Sequence, residues 1–301
     1  MAQVITEEIQ HEKFGRLVKI SNGIIEIYVP YNFGPRIMHY SFCGESNVFC
    51  DDAPAQIKVG EEMWKMMGGH RFWHSPEVFP RTYMPDNQPV TITFIEDGII
   101  VIQETENWVQ VQKELEIIID KKTSCVKVVH KLTNKNAWDI KLALWGLTVM
   151  KKGGYEVIPY QNRDTGFLSN RHLALWPYTH IQDKRVNFGK KYIGLSQNPR
   201  EKQPFKIGIN NEAGWAAYFN QGNMFVKKFK HDVDCSYPDG GCSYETYTTD
   251  FMLEMESLSP ISVVKANTCI THTEYWYLFK DIEIPKSEEE MDIIVKKYIK
   301  I

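Results

Sequence analysis

Short apolar–polar runs separated by hairpin turns fill this chain from residue 16 to residue 279. Segments 16–20 and 23–29 flank Asn22-Gly23, a dipeptide suited to the left-handed backbone of a two-residue hairpin turn. Segment 34–42 follows, closed by the turn Gly44-Glu45-Ser46-Asn47. Segments 90–95 and 98–105 flank Glu96-Asp97-Gly98, and 109–119 turns through 120–123 into 124–132. Segment 140–149 is a long apolar strand. A further meander over 205–209, 214–220 and 224–230 turns at Asn220-Gln221-Gly222-Asn223, and 246–257 and 271–279 close the series. Strands joined by hairpins pair antiparallel, and their number exceeds the ~7–9 of an immunoglobulin sandwich. The expectation is an all-β chain folded as a larger two-sheet antiparallel sandwich. Helical spacing occurs only at the end. Ser287 with Glu290 three residues on makes a capping box, and Met291, Ile294, Val295 and Tyr298 form one apolar stripe. This predicts a short helix over 287–300 packed against a sheet. No composition shift marks a linker, so residues 1–301 are expected to form a single β-sandwich domain, with the core over about 15–280.

The bulk numbers exclude several classes. Hydrophobic residues make up 43% and charged residues 24%, which supports a globular core. The 13% of aromatic residues suits broad sheet surfaces and sites that stack on sugar rings. Net charge is −3 with no long basic run, so no nucleic-acid partner is expected. No apolar run approaches the ~18 residues that span a bilayer, and no membrane partner is expected. The polar start, with Glu7, Glu8, Glu12 and Lys13, does not read as a secretory signal. Six dispersed cysteines without a CxxC pair read as free thiols, and the expected location is the cytoplasm. GxGxxG, GxxxxGK[ST] and GxSxG motifs are lacking, so the sequence points to no cofactor.

Chemistry concentrates in Gly68-Gly69-His70-Arg71-Phe72-Trp73-His74-Ser75-Pro76-Glu77. The glycine pair and Pro76 predict a loop or a strand end, where a rigid scaffold aims side chains into a cleft. His70, His74 and Glu77 would make a zinc set only on a helix, which Pro76 and the glycines oppose, so no metal is expected. A His titrating near neutral pH suits proton transfer. Trp73 offers a flat wall to a sugar ring, and Arg71 a planar fork of donors. In a second cluster, Phe251 to Pro260, the period of a strand puts Met252, Glu254 and Glu256 on one face and Leu253 and Met255 toward the core. Adjacent carboxylates repel, and burial raises the pKa of one of them, as a general acid or base needs. Asp239, in the turn Tyr237-Pro238-Asp239-Gly240-Gly241, and Arg36, opening a strand at Gly34-Pro35-Arg36-Ile37, are further candidates to line the cleft.

The Gly-Pro-Arg-Ile strand, the Gly-Gly-His-Arg-x-Trp-His segment, the central meander and the late Leu-Glu-x-Glu-Ser-Leu-Ser-Pro strand occur in an order that resembles the galactose-mutarotase-like superfamily, the aldose 1-epimerase relatives. Within it, the chain resembles most the DUF4380 family of bacterial proteins. The resemblance implies a β-supersandwich with a sugar-sized cleft on one concave sheet and a small-molecule carbohydrate as partner. It implies Glu256 as the catalytic base, with Glu254 as the next candidate, His70 or His74 as the acid, and Arg36 or Arg71 as the substrate-binding arginine. Trp73, Glu77 and Asp239 complete the expected substrate-binding set. The family's second His falls where this chain reads Leu144-Trp145-Gly146-Leu147-Thr148-Val149-Met150, with no His. Either His70 or His74 supplies the acid of an epimerase or mutarotase, or the cleft binds sugar without turning it over. A lyase or glycoside hydrolase on a related sandwich is the third expectation.

Overall fold

The computed structural model describes residues 3–299. Two large antiparallel sheets face each other. The ten-stranded sheet runs, edge to edge, through Val186–Phe188, Tyr192–Ser196, Tyr155–Pro159, Trp215–Asn220, Asn223–Phe229, Cys269–Lys280, Val126–Asn134, Val111–Ile119, Gly98–Ile102 and Thr91–Ile95. The eight-stranded sheet runs through Leu173–Leu175, Phe205–Ile209, Tyr244–Thr248, Met252–Leu258, Ile140–Lys151, His70–Ser75 and Arg36–Ile37, with Ser262–Val264 paired to the start of Ile140–Lys151. A four-stranded sheet (Ile5–His11, Gly15–Ser21, Ile25–Pro30, His39–Phe42) and the hairpin Ala53–Val59/Glu62–Met67 complete the strands of the described residues. The expected all-β sandwich is therefore what forms. The Asn22-Gly23 turn joins two paired strands as expected, with Ser21 opposite Glu26.

The core follows the strand period. Along Val111–Ile119 the buried positions alternate, and Val111, Leu115, Ile117 and Ile119 meet Val128, Phe72, Leu144 and Met255 between the sheets. Each such buried branched or aromatic side chain contributes about 1.5–3 kcal/mol relative to exposure. Ile140–Lys151 does not alternate, because both its faces are covered. One faces the ten-stranded sheet. The other packs Trp145, Leu147 and Val149 under Trp64, Met66 and Val59 of the hairpin.

At the C-terminus, Ser287 Oγ accepts from Glu290 N at 3.3 Å and starts the helix Glu288–Ile294. Glu290 closes its side of the cap on Lys286 N rather than on Ser287. A wider turn, Val295–Ile299, continues it, and Met291 and Val295 pack on Trp215, Phe219 and Val226 of the ten-stranded sheet. Residue 300 lies outside the described residues. All six cysteines are free thiols. No helix among the described residues is long and apolar enough to cross a membrane.

Candidate functional site

Residues 70–75 form a strand, the second of the two alternatives, loop or strand end, expected from their flanks. Gly68 and Gly69, at φ +100 and +68, bring the chain in so closely that a Cβ would stand 2.1 Å from Cys50 O or 2.4 Å from Ile37 O. His70–Ser75 then pairs with Ile140–Lys151 on one side and Arg36–Ile37 on the other. Pro76, without an N–H, ends it. All six of its residues are buried, and the period of two deals them to opposite faces.

Cross-strand partners share a face. Arg71 pairs with Leu147, Leu147 with Glu256, and Glu256 with Glu245. Arg71, Trp73, Trp145, Glu245, Glu254 and Glu256 therefore lie on the outer face, turned away from the ten-stranded sheet, with Lys206 joining them from Phe205–Ile209. Arg71 Nη1 donates to Glu254 Oε1 at 2.6 Å. Lys206 Nζ stands 2.8 Å from Glu245 Oε2 and 3.0 Å from Glu256 Oε2, which also accepts from Trp145 Nε1 at 3.0 Å. The ammonium lies 4.7 Å from the ring centres of both Trp145 and Trp176. Thr179 Oγ1 accepts from Lys206 N at 3.1 Å and ties the 176–180 loop to this strand. Tyr178, 44% exposed, and Glu77, which accepts from Tyr83 OH, stand at the solvent rim. Trp73 packs among Trp64, Tyr83 and Trp145, with the Arg71 guanidinium 4.5 Å from its ring centre.

Burial dominates the titration here. It pushes the Glu256 carboxyl up to about 7, with Lys206 pulling against it and Glu254 adding to it. Burial also pushes Glu245 well above the usual carboxylate range, against Lys206 and reinforced by Glu256. For Lys206, burial opposes the charge, but Glu245 and Glu256 outweigh it and hold the ammonium well above the ordinary lysine value. One ammonium balances one carboxylate, so the second carboxyl keeps its proton. Glu245 Oε1, Glu256 Oε1 and Arg71 Nε are buried without a protein partner, which leaves donors and acceptors for a ligand.

The other expected residues are dispersed. Arg36 shares the outer face, but its guanidinium is spent on Asp86 and on the carbonyls of Lys65 and Met66. It anchors the hairpin that walls the site. Asp239 sits exposed at the tip of its turn at φ +50, and adds only longer-range charge to Glu245.

His70 and His74 project from the opposite face, so the sheet separates both from Glu256. The expected His–Glu pair across one cleft does not form. His70 enters a closed network between the sheets. His130 Nδ1 donates to His272 O at 3.0 Å, which leaves His130 Nε2 to accept from His70 Nε2 at 2.7 Å, while His70 Nδ1 accepts from Thr148 Oγ1 at 2.9 Å. Ser257 Oγ donates to Glu274 Oε1 at 2.5 Å and accepts from His272 Nε2 at 2.7 Å. Lys227 Nζ at 3.0 Å and Trp276 Nε1 at 2.6 Å complete the donors to Glu274. The ligand atoms of His70, His130 and Glu274 lie within 4.8 Å of one another, a spacing an ion could use. Both nitrogens of each ring and the Glu274 carboxylate already have protein partners, however, and Lys227 places its own positive charge beside them, so the set fits a closed hydrogen-bond network better than a cation site.

Gly146 makes room for this network. A Cβ there would meet Glu274 Oε1 at 2.5 Å and His130 Nε2 at 3.0 Å. Gly146→Ala is expected to lower the unfolding free energy by about 1–3 kcal/mol in urea titrations, as overpacking does. A change below ~0.5 kcal/mol, the scale of neutral surface substitutions, would show that the network shifts freely.

Sequence reasoning missed Lys206 and Trp145, and left Glu245 without a role. A signal was present. Lys206 is the one charge in the apolar run Phe205–Ile209, an inward-pointing charge that needs a partner.

No family model and no curated protein matches the chain. Solved structures do. A candidate aldose 1-epimerase from Klebsiella pneumoniae superposes with TM-score 0.62 at 11% identity, over 98% of this chain and 87% of that one. A galactose mutarotase-like protein from Lactobacillus casei gives 0.51 at 8%, over 87% and 100%. A TPR-domain containing protein from Parabacteroides distasonis gives 0.60 at 11%, over 90% of this chain, which spans about half (49%) of that protein. The fold is thus the galactose-mutarotase-like sandwich.

Proposed function

We propose that the outer face of the eight-stranded sheet takes a small carbohydrate and performs aldose 1-epimerase-like chemistry, with a carboxyl pair in place of a histidine acid. The observation that carries this reading is the arrangement of Glu245 and Glu256 about the single Lys206 ammonium, each with one buried oxygen lacking a partner. Glu256, with its pKa raised to about 7, is the base that takes the proton of the anomeric hydroxyl. Glu245, kept protonated by burial, gives a proton to the ring oxygen, so the ring opens and recloses with no net change in protons. Arg71, Trp73 and Glu254 position the sugar, and Glu77 stands at the rim. The second reading, sugar binding without turnover, is favoured by one observation: both histidines of the 70–75 strand face away from this site.

Anomer exchange followed by NMR across a panel of aldoses tests the proposal. Exchange above the buffer rate for at least one aldose, lost in Glu256→Gln, supports the enzyme. Saturable binding with unaltered exchange supports the second reading, and neither binding nor exchange by any aldose removes both.

A further inference from the structure

The chain carries a cavity of about 370 Å³ on the far side of the sheet from Glu256. It lies where His70–Ser75 ends, Ile140–Lys151 begins and the turns at Trp108–Val109 and Asn136–Trp138 meet. The volume falls in the ~300–1,000 Å³ range of small-molecule sites. His74 lines it, 1% exposed, and neither ring nitrogen has a hydrogen-bond partner. A buried imidazole with both nitrogens idle calls for an occupant that bonds to it. Arg81 also lines it. Its Nη2 is held by Pro76 O at 2.8 Å, while its buried Nε has no partner. Lys141 stands exposed on the same lining and forms no ion pair among the described residues.

The lining holds two fixed cations and no carboxylate. Of the nearby acids, Glu106 balances its charge against Lys113 through Oε1 at 2.6 Å, its Oε2 being buried without a partner, and Asp139 accepts from Ala266 N. Two indoles flank the opening, Trp108 at 60% and Trp138 at 65% exposure. Exposed tryptophans beside a cavity offer flat apolar faces of the kind that cover a sugar ring.

We propose that this cavity binds a monosaccharide bearing an oxyanion, a carboxylate or a phosphate. Arg81 and Lys141 hold the anionic group, Trp108 and Trp138 cover the ring, and His74 hydrogen-bonds a hydroxyl. The site is independent of the chemistry proposed for the outer face.

Calorimetric titration with glucuronate, glucose 6-phosphate, neutral glucose and inorganic phosphate tests it, with the His74 ring resonance, assigned through His74→Gln, as the local readout. The expected result is saturable binding of glucuronate or glucose 6-phosphate that moves the His74 resonance. Whichever of the two binds names the source of the oxyanion. Arg81→Ala and Trp138→Ala should each weaken binding at least tenfold. Trp108→Ala, at an exposed ring, is a second variant that leaves the core untouched, and urea titrations check that all of them fold. Glucose binding as tightly as the charged sugars, or phosphate alone as tightly as glucose 6-phosphate, would overturn the proposal. So would an unmoved His74 resonance.

Discussion

Replacing Lys227 by Met is expected to lower the unfolding free energy by about 3–5 kcal/mol, the cost of leaving a buried charge without its partner. Lys227 and Glu274 are both fully buried between the sheets, 3.0 Å apart. Burial by itself would raise the Glu274 carboxyl. The Lys227 charge, with His70, His130 and His272 adding to it, outweighs that and holds it below the usual carboxylate range. A depressed folded pKa gives stability that is present above the unfolded value of ~4.3 and lost as pH falls below it. In Lys227→Met, burial has no opposing charge, so the folded pKa should move above ~4.3 and the sign reverse, with stability from this group declining as pH rises through that range. Urea titrations at pH 4 and pH 7 on both proteins read the two slopes. Lys227→Met with Glu274→Leu should recover part of the loss, because no charge is then left unpaired. A single variant costing below ~1 kcal/mol would show that the charge pair does not hold the network.

Glu256→Gln is expected to lower anomer exchange by about 10²–10⁴-fold, the usual contribution of a general base. The amide keeps the shape of the carboxyl and can still accept from Trp145, so binding should fall far less than turnover. In the unmodified protein the rate should rise with pH through about 7, as Glu256 loses its proton. It should fall again at higher pH as Glu245 ionises, which gives a bell-shaped profile. Glu245→Gln, whose amide has no proton to give the ring oxygen, should lower exchange at every pH, and the residual rate should lack the alkaline limb. Exchange that persists at full rate in Glu256→Gln would exclude this carboxyl as the base.

The outer-face site was legible in part. Glu254 and Glu256 share a face because a strand alternates, and the sequence needs nothing more to say so. Their partners were not legible, since Lys206, Glu245 and Trp145 come from three other strands, the nearest of them, Glu245, nine positions away, and carry no motif. Arg36 and Arg71 looked interchangeable as sequence, yet the guanidinium of one is spent on carbonyls and Asp86 while the other faces Glu254.

Local pattern alone determined the all-β class, the Asn22-Gly23 hairpin, the Ser287 cap and the face shared by the two carboxylates. All of these depend on residues within a few positions of one another, where backbone preference and side-chain period act directly. Only the tertiary structure decided what the 68–77 segment does. Its glycines let it enter as a strand between two others, and strand alternation then dealt Arg71 and Trp73 to the outer face, and His70 and His74 to the other. Which face is a carboxylate site, which a closed network and which a cavity depends on strands paired across the sheet, and pairing between distant segments is set by the packing of the whole core, not by local spacing.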